Sequence, residues 1–101
     1  MTTDDLITAV KQWGENRKLN DPKAQLNKVI EEVGEIAHEV SRNQYDDDFE
    51  DAIGDALVTI IILANIKRKD PVQCLRVAYD SIKDRTGSTK CGTFIKDAQN
   101  S

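Results

Sequence analysis

The sequence predicts an all-α protein, a four-helix bundle or part of one. Three observations predict it. Apolar residues recur at helical spacing along four segments. Two Asp-Pro pairs, Asp21-Pro22 and Asp70-Pro71, mark helix starts, because aspartate caps a helix and proline sits in its first turn without losing a needed N–H. No segment shows the convincing alternation of a half-buried strand.

The first helix is expected over about Thr3–Lys18, with Leu6, Ile7, Val10 and Trp13 at helical spacing. The second covers about Pro22–Arg42, where Leu26, Val29, Ile30, Val33, Ile36, Ala37 and Val40 form one stripe. Polar "SRNQYDDD" separates it from the third, about Asp48–Lys67, which is apolar almost all round and should be central. The fourth covers about Pro71–Asp84, with Val72, Leu75, Tyr79 and Ile82 on its expected buried face. Residues 85–101 contain "RTGSTKCGTFIKDAQN" and read as a loop or ordered tail.

At 101 residues the chain is one small domain, and a helical chain of this size often gains part of its core by oligomerising. Hydrophobic residues make up 39% and charged residues 32%, too apolar for disorder. A net charge of −4 argues against a nucleic-acid polymer as partner, which needs a basic footprint. Cys74 and Cys91 lack CxxC spacing and read as free thiols in a reducing cytosol. No signal-peptide pattern opens the chain, and its longest apolar stretch falls short of the roughly 20 residues that cross a bilayer. A cytoplasmic protein without a membrane partner is the expectation.

Chemistry concentrates in two acidic groups. In "KVIEEVGEIAHEV", Glu31, Glu32 and Glu35 fall opposite the apolar stripe, with Glu32 nearest its edge. Taken alone they are most simply a solvated face. In "DDDFEDAIGDALVTIIILA", Asp51 and Asp55 are four residues apart, and their face continues through Val58 and Ile62. Asp55 is therefore expected to point into or along the interior. A buried carboxylate needs a cation or a proton. Asp48 and Asp51 are also explained by a helix N-terminus, where acids interact favourably with the macrodipole. Together the five carboxylates would make an oxygen-only cage suited to Mg²⁺.

"EEVGE" followed by "DAIGDALVTIIILA" resembles the MazG-like nucleotide pyrophosphohydrolases, members of the all-α NTP pyrophosphatase superfamily and here of its small phage or bacterial type. The likeness covers most of the chain, including "IKDRTGSTKCGTFIKD", similar to the family's basic stretch after the last helix. It implies hydrolysis of nucleoside triphosphates to the monophosphate and pyrophosphate with Mg²⁺, Mn²⁺ being a substitute, for nucleotide-pool control or sanitation. Carried over residue by residue, it implies Glu32, Glu35, Asp51 and Asp55 as metal ligands, and Glu31 and Glu35 as catalytic carboxylates. One departure stands out. The family's ExxD would place a glutamate where Ala52 stands, and Asp51 is the natural substitute, about 40° from Asp55 around the helix. Smaller, phage-type members carry this DxxxD form. The resemblance also implies a homo-oligomer, dimer or tetramer, with the cleft between helices of associated chains.

A triphosphate needs further cations. Lys28 lies one turn before the glutamates and could reach phosphate; the bland alternative is a helix salt bridge to Glu32. Lys83 and Arg85, near the C-terminal basic stretch, are raised as phosphate contacts by the family likeness. Trp13, the sole tryptophan, is core or a base-stacking ring, and Asn65 is a helix-end residue or a substrate contact. His38 forms Glu35-x-x-His38, the spacing of di-iron bundles, but a single histidine supplies half of such a set. Two rivals remain: a non-catalytic helical interaction protein, and a phosphoribosyl-ATP pyrophosphohydrolase with shared chemistry and a different substrate.

Overall fold

A computed structural model describes residues 1–98 and is predominantly helical. Four helices, α1 (Thr3–Asn16), α2 (Pro22–Ser41), α3 (Asp47–Ile66) and α4 (Pro71–Ile82), precede two short strands, β1 (Gly87–Lys90) and β2 (Thr93–Lys96). The chain divides into two compact units at Pro71, the first holding α1–α3 and the second α4 and the strands from Val72 onward.

Local chemistry sets the ends of the first three helices. Thr2 and Asp5 cap α1 reciprocally: the Asp5 N–H donates to Thr2 Oγ1 at 3.1 Å, and the Thr2 N–H to Asp5 Oδ2 at 3.0 Å. Asp21 Oδ1 accepts from the N–H groups of Lys23 and Ala24, with Pro22 in the first turn of α2, as the Asp-Pro pair predicts. Asp46 caps α3 through the Asp48 N–H. All three helices end alike, with Lys18, Asn43 and Arg68 at positive φ. The following N–H groups, of Leu19, Gln44 and Lys69, reach back to the carbonyls of Gly14, Glu39 and Ala64.

Within the first unit α3 is central, packing against both α1 and α2. Its residues Ala52 and Ala56 are buried and lie on the same side of α3 as Thr59. The buried Gln25 near the start of α2 donates from Nε2 to the Thr59 carbonyl of α3 at 3.1 Å. Because α2 and α3 are joined by only a short turn, this bond fixes them as an antiparallel pair. Gly14 of α1 faces Ile62 of α3, which is 3% exposed; a Cβ on Gly14 would lie 3.2 Å from Ile62 Cγ1.

Two expectations are corrected. The expected buried face of α4 is not buried: Val72, Leu75, Tyr79 and Ile82 are all exposed. Apolar periodicity fixes which side of a helix is apolar, not that something covers it. The segment read as a loop or tail contains an antiparallel hairpin pairing Gly87 with Lys96 and Lys90 with Thr93. Cys91 and Gly92, both at positive φ, form its two-residue turn, and Thr86 Oγ1 donates to Asp97 Oδ2 at 2.8 Å beyond the open end. The missed signal was an X-Gly pair between short runs holding Thr89 and Thr93–Ile95; cysteine in place of the usual Asn or Asp made it faint. Residues 99–101 of the expected tail lie outside the described residues.

Two stability changes follow. Asp21→Ala removes the acceptor of two α2 N–H groups and should lower stability by about 1 kcal/mol in a denaturant titration. Gly14→Val drives methyl groups into Ile62 and should cost about 1–3 kcal/mol, read as a lower thermal midpoint.

Candidate functional site

The helix pairing brings one member of each acidic group to a common groove. Glu32 is half-buried on the side of α2 that turns toward α3, and Asp55 projects from α3 one turn before Val58. Both line a groove of about 390 Å³ with Trp13, Arg17, Lys28 and Gln25. A second depression, of about 410 Å³, shares Trp13, Asp55 and Val58 and is otherwise walled by Leu6, Ala9 and Val10. Trp13 and Asp55 thus stand where a charged lobe meets an apolar one. Volumes of this size suit small organic ligands.

Asp55 is not interior. The stripe it shares with Val58 and Ile62 runs from exposed through half-buried to buried, because α1 closes over α3 at Gly14 and Ile62 but leaves the groove open at Asp55. Hydration of Asp55 removes the burial penalty that would by itself have demanded a metal.

The other acids are less gathered. Glu31, Glu35 and Asp51 are exposed, and among the described residues no three His, Cys, Asp or Glu side chains converge on a common point. Five carboxylates do not form a closed cage. Glu32 and Asp55 line the same groove, and a Mg²⁺ ion is commonly held by only one or two protein carboxylates, with phosphates and water completing its shell.

The cations have different partners. Lys28 Nζ pairs with Glu31 at 3.4 Å, not with Glu32 as the bland alternative supposed, since the i,i+3 neighbour lies nearer here. Asn65 is outside the groove: it lines another depression with Lys11, Lys18 and Arg68, and its Nδ2 donates to Glu15 at 3.3 Å. In the second unit, Lys83 pairs with Asp80 at 3.5 Å and Arg85 Nη2 donates to Ser81 Oγ at 3.3 Å. His38 is exposed beside Arg42, whose Nη1 lies 3.2 Å from His38 Nε2.

Two residues escaped the sequence reading. Arg17 lines the groove with its guanidinium carbon 4.0 Å from the centroid of the Trp13 ring; the i,i+4 spacing of tryptophan and arginine was the available signal. Glu39 is half-buried, and its Oε2 is shielded from water with no hydrogen-bond partner among the described residues. It sits seven residues after Glu32, on the same side of α2.

No described helix is long and apolar enough to cross a membrane. The family model of the MazG nucleotide pyrophosphohydrolase domain matches residues 20–85, which include Glu31, Glu32, Glu35, Asp51 and Asp55. An uncharacterized 18.2 kDa protein from the rep-hol intergenic region of Haemophilus phage HP1 (strain HP1c1) is 39% identical over 70 residues. That match covers 66% of this chain and 42% of the phage protein, so the chain spans less than half the length of this curated relative. No solved structure matches the chain. With the family model spanning α2, α3 and α4 and both acidic groups, the chain belongs to the MazG nucleotide pyrophosphohydrolase domain family.

Proposed function

We propose that this chain is a Mg²⁺-dependent nucleoside triphosphate pyrophosphohydrolase that cuts the α–β phosphoanhydride, releasing a nucleoside monophosphate and pyrophosphate for control or sanitation of cytoplasmic nucleotide pools. The observation that carries this reading is the groove in which Glu32 of α2 and Asp55 of α3 meet Lys28 and Trp13. Glu32 and Asp55 would hold the ion, with Glu35 and Asp51 as the neighbouring carboxylates one turn away on each helix. Mn²⁺ would substitute. Bound there, the ion would neutralise phosphate charge and stabilise the leaving oxygens.

The residues of the chain divide the remaining work. The apolar lobe of Leu6, Ala9, Val10 and Val58 beside Trp13 suits a nucleobase. Lys28 offers its ammonium to phosphate from the charged lobe. A carboxylate of Glu31 or Glu35 accepts the proton of the attacking water. The water oxygen bonds the α-phosphorus, and the bond to the bridging oxygen breaks to release pyrophosphate. The Lys28 ammonium lies 3.4 Å from Glu31 Oε2 on the surface of α2.

The same reading includes a homo-oligomer. Leu26, Ile30, Val33 and Val40 are exposed along one stripe of α2, with Ile30 61% exposed, and Ile53, Leu57 and Ile60 are exposed on α3. So much contiguous apolar side chain in water is costly for a lone chain and is relieved by a second copy.

Incubation of the purified chain with a panel of NTPs and dNTPs plus Mg²⁺ should yield monophosphate and pyrophosphate. Asp55→Asn and Glu35→Gln should each lower kcat/KM by about 100-fold or more. Orthophosphate and diphosphate as products would sink the proposed reaction. Millimolar Mg²⁺ should raise the thermal midpoint of the wild type and leave that of Asp55→Asn unmoved. Light scattering after size exclusion should give the mass of two or four chains, and Ile30→Asp should shift it toward one; a wild-type monomer would refute the oligomer.

A further inference from the structure

We propose that Arg17 is a phosphate-binding residue of this groove, its guanidinium held over the Trp13 ring so that its N–H edge is presented to the polyphosphate of the bound nucleotide. The inference rests on the pyrophosphohydrolase reading and adds to it a residue that neither acidic motif contains.

Three observations carry it. Arg17 lies in the groove with Glu32, Asp55 and Lys28, all within the first unit. Its position is held twice over: the guanidinium carbon stands 4.0 Å from the Trp13 ring centroid, and Nη1 donates to the Trp13 carbonyl at 3.1 Å. A guanidinium has five N–H donors, and the hydrogen bond to the Trp13 carbonyl leaves most of them unspent. Finally, Arg17 has no carboxylate within ion-pair distance among the described residues, whereas Lys28, the other cation lining the groove, is paired with Glu31.

A groove walled by Glu32 and Asp55 repels a polyanion unless cations balance it. Arg17 is the cation here whose charge no neighbouring acid has already answered. A forked guanidinium matches two phosphate oxygens at once, which an ammonium cannot do. Trp13 thereby becomes the positioning residue for Arg17 on one ring face while its other contacts border the apolar lobe. A long side chain at a helix C-terminus is otherwise mobile, and the aromatic support reduces the freedom lost when phosphate binds.

The test is calorimetric titration, with Mg²⁺ present, of three probes: a non-hydrolysable α,β-methylene triphosphate, inorganic pyrophosphate and the parent nucleoside. Arg17→Ala should weaken the triphosphate analogue and pyrophosphate by about 10- to 100-fold while leaving nucleoside binding unchanged. Arg17→Lys should restore part of the loss, and Trp13→Leu should reproduce much of the pyrophosphate defect where Trp13→Phe does not. Circular dichroism melts of each variant establish that the fold is retained. Wild-type affinity of Arg17→Ala for pyrophosphate and analogue would overturn the role of Arg17 and leave the pyrophosphohydrolase reading standing. An equal loss for the nucleoside would make Arg17 a base contact and overturn the proposal too. Failure of the wild type to bind any of the phosphorylated probes would overturn both readings.

Discussion

The antiparallel pairing of α2 with α3 is the constraint on which the rest of the first unit depends. It rests on two small side chains and one buried amide. Ala52 and Ala56 are buried on the side of α3 that carries Thr59, and the hydrogen bond from Gln25 to the Thr59 carbonyl fixes how far one helix may slide along the other. Gln25 is a polar group taken out of water, so it is stable there only where an acceptor meets it, and a shifted pairing would leave it unsatisfied. The register that satisfies Gln25 is also the one that brings Glu32 and Asp55 to the same groove. The structural bond and the candidate chemistry are thus two consequences of one alignment.

Packing on the other side of α3 has a different character. α1 closes against it at Gly14 and Ile62 and stays apart at Asp55, so the helices diverge where the groove opens. Trp13, one residue before Gly14, is 47% exposed, with Arg17 over one face. Glycine at the point of closest approach and tryptophan beside it make α1 both the clamp and one wall of the groove. The cost of leaving a large aromatic ring half in water is reduced by the guanidinium that covers it.

Ala52 links the fold to the departure from the family's acidic pattern. The family's ExxD would place a glutamate at this position, and here it is a buried alanine on the side of α3 that carries Thr59, the acceptor for Gln25 of α2. A glutamate there would have to fit where a buried methyl group now sits or push its neighbours apart. Asp51, the neighbouring acid, is exposed. Of the two acidic groups, the carboxylates that line the groove are therefore one from each helix, Glu32 and Asp55.

What the sequence determined by itself was local. Apolar spacing and the Asp21-Pro22 and Asp70-Pro71 pairs placed four helices with ends within two residues or so of those found, because caps and periodicity act over a single turn. The two acidic groups and their family likeness were legible for the same reason: a motif is a run of neighbours. Tertiary structure decided the rest. Whether Asp55 was buried depended on how closely α1 approached, and whether the apolar face of α4 was covered depended on partners that periodicity does not name. The hairpin around Cys91-Gly92 depended on a register between two strands too short to announce themselves. Arg17 and Lys28 are both cations near the glutamates in sequence. Only the fold distinguished one stacked on a tryptophan from one paired to Glu31, because that difference lies in which side chains the helix packing brings within reach.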